Sequence, residues 1–249
     1  MKKLSKNAII GYPAGIITGI TYGLNPLFAM PLMKNGAATE SILFFRYAFA
    51  VLLLGLFLLL RKQSFRVSGK QIGVLFVLGL LYTSSSIFLF DAYEYIASGL
   101  ATTLVFLYPV LVAIIMVFLK VVPSWPVRLA IAGISNSLLT FYALMVGAIV
   151  FIGKILSSDT AITAGITTGA DWLNLVGLAL LPTIVSTATL AIASRNIGAT
   201  KASVLGVFEP ITAIIVGTLM FGEPLTTNII VGISIAMVAV TFMITVTKR

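Results

Sequence analysis

Cysteine and histidine are both absent from this chain, and only seven acidic side chains stand against sixteen basic ones. Without cysteine there are no disulfides and no thiol chemistry. Without histidine as well, the common zinc sites and imidazole proton relays are excluded. No H-E-x-x-H motif and no Ser–His pair can exist here, no catalytic aspartate pair is evident, and no G-x-x-x-x-G-K-[ST] loop occurs. The sequence therefore argues against an enzyme, against a bound metal or cofactor, and against ATP as a fuel. The net charge of +9 does not point to nucleic acid, because the basic residues are dispersed at the ends of apolar runs rather than gathered on one face.

What is abundant is apolar. Of the 249 residues, 59% are hydrophobic and only 9% charged, far more apolar surface than a water-soluble core of this size can cover. The runs are long enough to cross about 30 Å of hydrocarbon as helices. They mark eight spans, at roughly 8–33, 39–60, 71–92, 97–119, 136–156, 172–194, 200–221 and 226–246. The basic start "MKKLSKNAII" is read as a retained first span, since the apolar stretch after it is too long for a signal-peptide core. An all-α polytopic membrane protein follows, multi-pass in the lipid bilayer of the cytoplasmic membrane. The link Ser157–Asp171 is small and polar and reads as flexible.

Loop charges give an orientation. With the N-terminus cytoplasmic, Arg61, Lys62, Arg66, Lys70, Lys120, Arg128, Arg195, Lys201, Lys248 and Arg249 all fall inside, with Lys2, Lys3 and Lys6. Lys34 and Lys154 fall outside, while Asp91, Glu94, Asp159, Asp171 and Glu223 lie outside or at that rim. An N-in, C-in topology is expected.

The chain also repeats itself. "ATTLVFLYPVLVAII" (Ala101–Ile115) matches "ASVLGVFEPITAIIV" (Ala202–Val216) at an offset of 101, proline on proline. "ESILFFRYAF" pairs more weakly with "NSLLTFYALM", and the loop charges run those two spans in opposite directions. The halves, 1–135 and 136–249, read as an inverted repeat within one membrane domain. Such a repeat needs an odd number of spans per half. The seam shows why eight remain: "RLAIAGIS" (Arg128–Ser135) resembles the start of the last span, "TNIIVGIS", and then gives way at Asn136 to the partner of the second. The end of a fifth span and a whole sixth are missing there. A helix over 126–156 would reach about 46 Å, so a break is expected near Gly133–Ser137.

These residues carry a resemblance. "YGLNPLF" (Tyr22–Phe28), the arginine of "FFRYAFA", "FLYPVLVAII" and "SRNIGATKASVLGVFEPITAIIVGTLMFGEPLT" resemble the drug/metabolite transporter superfamily, EamA type. The resemblance implies ten spans as two inverted five-span repeats and the export of amino acids or similar metabolites. This chain departs from the pattern in its two absent spans and in Lys120, where an acidic residue often stands. The missing sixth helix is one that the resemblance places beside the central cavity.

Several residues could carry function. Gly11, Gly15, Gly19 and Gly23 recur every fourth residue on one helix face, which suits close helix packing or a sliding surface. Asn25–Pro26 follows: the proline frees a carbonyl one turn upstream, and the amide can donate and accept. Arg46 is the one basic residue inside a span; it must face a cavity, snorkel outward or pair with an acid. Glu209 lies near the middle of its span, beyond snorkelling reach, and is either protonated, paired with Arg46 or a serine, or facing water. Pro210 and Gly206 soften the helix around it, and Tyr108–Pro109 is its counterpart in the first half. Tyr82 with Ser84–Ser86, and Thr183, Ser186 and Thr187, offer hydroxyls that either line a cavity or bond helix to helix.

Two readings follow. The first is a secondary carrier that moves a small-molecule substrate by alternating access, with Glu209 binding the substrate amine or a proton. The second is a non-transporting membrane protein descended from a broken carrier. A homodimer would supply the faces that the lost spans leave uncovered.

Overall fold

The computed structural model describes residues 6–107, 133–158, 161–227, 229–235 and 238. Tyr108, Pro109, Lys120 and Arg128, and most of the seam, lie outside the described residues, as do both chain ends. Among the described residues there are helices and turns but no strand. That is the outcome expected of a backbone that must satisfy its own polar groups in lipid. The helices are α1 (Lys6–Gly23), α2 (Asn25–Lys34), α3 (Thr39–Leu60), α4 (Gly69–Tyr95), α5 (Ser98–Val105), α6 (Asn136–Leu156), α7 (Gly169–Ala179), α8 (Ser186–Ile197), α9 (Ala199–Leu205) and α10 (Phe208–Phe221). A π-helical segment, Leu180–Val185, joins α7 to α8. Helix resumes within 229–235.

Six of the expected spans are present as helices long and apolar enough to cross a membrane: Lys6–Lys34, Thr39–Leu60, Gly69–Tyr95, Asn136–Leu156, Gly169–Ile197 and Lys201–Phe221. The other two, at 97–119 and 226–246, are described only in part. The break expected near the seam occurs. Gly133 adopts φ +84°, a conformation that suits a residue without Cβ. Ser135 then caps α6 by accepting a hydrogen bond from the Leu138 N–H at 3.2 Å. Gln63 donates its side-chain amide to the same serine oxygen, and Tyr142 donates its hydroxyl to the Phe65 carbonyl at 2.6 Å, so the α3–α4 loop holds the start of α6.

The chain forms two compact units that interleave in sequence. The first comprises 1–28, 92–111 and 181–249; the second comprises 29–91 and 112–180. Neither corresponds to a half of the repeat, because a repeat in sequence and a packing unit in space are different things. In the first unit α1 packs on α8, α9 and α10, and α5 packs on α10. In the second, α3 packs on α6 and α7.

The link Ser157–Asp171 does not behave as the flexible loop expected from its composition. Asp171 accepts from the Thr167 N–H (3.0 Å), the Thr168 N–H (2.8 Å), the Thr168 hydroxyl (2.9 Å) and the Asn35 amide (2.9 Å). The Thr168 oxygen returns the favour to the Asp171 N–H, closing a capping box on α7. Ile166 is buried, and Gly165 lies directly on the backbone of Gly36 and Ala37. One buried carboxylate thus ties this link to the α2–α3 turn.

Glu223 plays a comparable part in the first unit. Gly222 ends α10 in the left-handed conformation, φ 67°. Glu223 then turns back to accept from the Ser98 N–H at 2.8 Å and the Gly99 N–H at 3.4 Å. These are orphan donors at the start of α5, which has no cap from its own segment.

The α1 glycine stripe makes a direct stability prediction. A Cβ on Gly19 would lie 2.8 Å from Phe208 Cβ, 2.9 Å from the Leu205 carbonyl oxygen and 3.1 Å from the Glu209 nitrogen. Backbone cannot yield as a flexible side chain can, so Gly19→Ala should cost about 1–3 kcal/mol. Gly73→Ala, with open space around it, should be neutral or gain up to about 1 kcal/mol from helix propensity. Unfolding midpoints of the two variants in mixed micelles check the contrast.

Candidate functional site

In the first unit, α1 crosses the chain where two helix breaks meet. At the first, Leu24 interrupts the helix between Gly23 and Asn25. Pro26 has no N–H to offer the Tyr22 carbonyl one turn back. The Asn25 side-chain amide takes over this role, donating to Tyr22 O at 2.9 Å. At the second, Gly206 and Val207 separate α9 from α10. Pro210 leaves the Gly206 carbonyl without its usual donor. The Glu209 N–H fills that place from one residue closer, at 2.8 Å, a tighter 3₁₀-type closure. Gly206 itself lies against the Phe106 ring, 2.9 Å from where a Cβ would stand.

The glycine stripe brings the two breaks together. Gly11 meets Ile197 and Gly15 meets Leu205, while Gly19 meets the Leu205 carbonyl and Gly23 the Glu209 carbonyl. A Cβ on Gly23 would come within 2.5 Å of Glu209 O and 2.7 Å of Thr212 Cβ. Four buried glycines therefore let α1 rest on the backbone around Glu209. The hydroxyls here are largely committed to their own helices. Thr18 donates to Ala14 O (2.9 Å), Thr21 to Ile17 O (2.7 Å) and Thr212 to Phe208 O (2.7 Å). Thr18 also shares a 2.8 Å bond with Thr189 of α8.

The Glu209 side chain is half-buried. Among the described residues its carboxylate has no hydrogen-bond or ion-pair partner. Ser186 is buried at the start of α8, in the same unit and directly after the π-helical segment.

Arg46 and Tyr82 belong to the second unit. Arg46 is only 1% exposed, with its guanidinium 5.5 Å from the Phe90 ring centre and 6.0 Å from that of Tyr47. It does not snorkel. Tyr47, on the neighbouring α3 position, is fully buried and shares a 2.6 Å hydrogen bond with Ser86. Its ring stacks on Tyr82 with centres 5.8 Å apart, and Gly147 lies directly beneath it. The Tyr82 hydroxyl is buried without a hydrogen-bond partner among the described residues. Ser84 and Thr187 are committed to carbonyls of their own helices, Leu80 and Thr183. Tyr47 follows Arg46 directly but carries no local signal of its own. The span expected at 172–194 runs through Pro182, where the π-helical segment forms.

The chain matches the model of the EamA-like transporter family twice, over residues 9–135 and 125–245. It belongs to the EamA-like transporter family. Members of this family are membrane transporters of small molecules rather than enzymes, and the apolar helices embed the chain in a bilayer as a multi-pass protein. No curated protein matches the chain. For this EamA-like transporter, Tyr108 and Pro109 lie outside the described residues, so the pairing of Tyr108 with Glu209 remains an expectation.

The Tyr47–Ser86 bond can be tested in isolation. Tyr47→Phe should lower stability by about 0.5–1.5 kcal/mol, because it strips a partner from a buried hydroxyl. Adding Ser86→Ala should restore part of that loss. A double-mutant cycle on unfolding midpoints reads the coupling.

Proposed function

We propose that this EamA-like transporter is a secondary carrier that exports small amine-bearing metabolites, amino-acid-like in chemistry, by alternating access across the cytoplasmic membrane. The observation that carries this reading is Glu209: a carboxylate within an apolar span, at a helix break, with no partner among the described residues. A charge in such a place is costly unless it serves a substrate or a proton. Carrier sites are often built from discontinuous helices, and the breaks at Leu24 and Gly206–Val207 provide that backbone. The N-in, C-in topology rests on the basic loops, and the division into inverted halves at 135/136 rests on the repeated "YPVLVAII" and "EPITAIIV" segments. Asn25, Arg46, Tyr82, Tyr108 and Ser186 are the further candidates for substrate contact. Pro26, Pro109, Gly206 and Pro210 are candidates for the bends.

The second reading, a non-transporting relative, is favoured by the two spans missing at the seam. A homodimer is then the assembly that covers the exposed faces.

Flux of labelled amino acids from proteoliposomes decides between them. The carrier reading expects measurable flux with the intact protein, falling at least tenfold in Glu209→Gln and losing its dependence on a pH gradient. Flux unchanged by the substitution at every pH contradicts coupling through Glu209. No flux for any of a broad metabolite panel supports the non-transporting reading.

A further inference from the structure

Asn25 is 1% exposed, and its two amide ends are in unequal states. The nitrogen is committed to the Tyr22 carbonyl at 2.9 Å. The oxygen, Oδ1, is buried with no hydrogen-bond partner among the described residues. The ends cannot be exchanged, because only the NH₂ can satisfy a carbonyl. Pro26 makes that bond necessary, so the proline both creates the break and fixes which atom of Asn25 is left over. A buried acceptor without a donor is unfavourable. A bound ligand is one source of such a donor.

The neighbouring groups show what that donor must be. Two residues before Asn25, Gly23 rests on the Glu209 backbone carbonyl, so the break that holds Asn25 begins at the crossing of α1 over α10. The nearby hydroxyl hydrogens of Thr18, Thr21 and Thr212 are directed at carbonyls of their own helices. The uncommitted groups here are an amide oxygen and a carboxylate, both acceptors. A ligand carboxylate or phosphate would meet like with like. A protonated amine brings three donors and no acceptor, together with the charge that complements Glu209.

We propose that Asn25 Oδ1 and the Glu209 carboxylate act as one acceptor pair that receives the ammonium group of the substrate, with Asn25 as the residue that selects a primary amine. This rests on the reading that the Glu209 crossing is the substrate site. Selection arises from the geometry of the break. A continuous α1 would satisfy Tyr22 O from its own backbone and leave the Asn25 amide free to rotate, presenting donor or acceptor alike.

The test uses the full chain in lipid nanodiscs and the rise in thermal midpoint on adding ligand. One probe is an equimolar mixture of the twenty standard amino acids; the other is the same mixture N-acetylated. The amino mixture should raise the midpoint and the acetylated mixture should not. Asn25→Leu should increase the concentration needed for half the shift about tenfold, matching the loss of one hydrogen bond to a charged group. Because this variant also removes the Asn25 donor to the Tyr22 carbonyl, it is repeated in a Pro26→Ala background. There the restored backbone N–H keeps the helix satisfied, and Pro26→Ala alone is the reference. A similar shift from both mixtures overturns the ammonium assignment. A shift that Glu209→Gln abolishes but neither Asn25→Leu variant alters overturns the role of Asn25, while leaving Glu209 as the substrate group. No shift from either mixture overturns both.

Discussion

A backbone carbonyl in hydrocarbon must find a donor within the protein, because no water is there to supply one. A proline inside a span withdraws such a donor, and at three prolines among the described residues the chain answers the loss in three different ways. At Pro26 a side-chain amide substitutes for the missing N–H. At Pro210 the preceding N–H reaches the carbonyl by a shorter turn. At Pro182 the helix widens to a π-helical segment instead. The breaks at the first two are where the proposed substrate site lies.

The glycine stripe makes the first two answers part of one arrangement. Side chains on α1 would hold it away from α9 and α10. With glycine at 19 and 23, backbone meets backbone at the crossing, and the break near Asn25 lies beside the break near Glu209. The result is an apolar bundle with two uncommitted acceptors at one crossing. The buried carboxylate of Asp171 and the capping carboxylate of Glu223 are of the opposite kind, since each is occupied by backbone donors. Four acidic residues of a small set thus have distinct roles, with Glu40 the fourth, in a 2.8 Å ion pair with Lys154.

Much of the architecture could be read from the residues. Apolar run length located α3 and α6 to within a residue of their observed ends, because span length is dictated by bilayer thickness. Pro26, Pro210 and the fourfold glycine spacing were visible for the same reason: their effects are local. The parts that were not legible depend on partners far along the chain. Composition made the Ser157–Asp171 link look loose, yet Asp171 ties it to Asn35. Nothing local in the sequence marks Tyr47; Ser86, Tyr82 and Gly147, far along the chain, are what enclose it. Pro182 was visible, but nothing local distinguishes a kink from a π-helical turn. The state of Asn25 combines both kinds of information. Its neighbour Pro26 forecasts a freed carbonyl, and only the fold shows that the amide nitrogen takes it and the oxygen stays vacant.

The proposed substrate site requires that Glu209 face a water-accessible space rather than a packed interior. The absence of cysteine allows a clean measurement, since Glu209→Cys would be the chain's one thiol. The folded protein in nanodiscs is exposed to a water-soluble maleimide. The account predicts labelling in the folded state. A thiol that stays unlabelled until the protein is unfolded would contradict it.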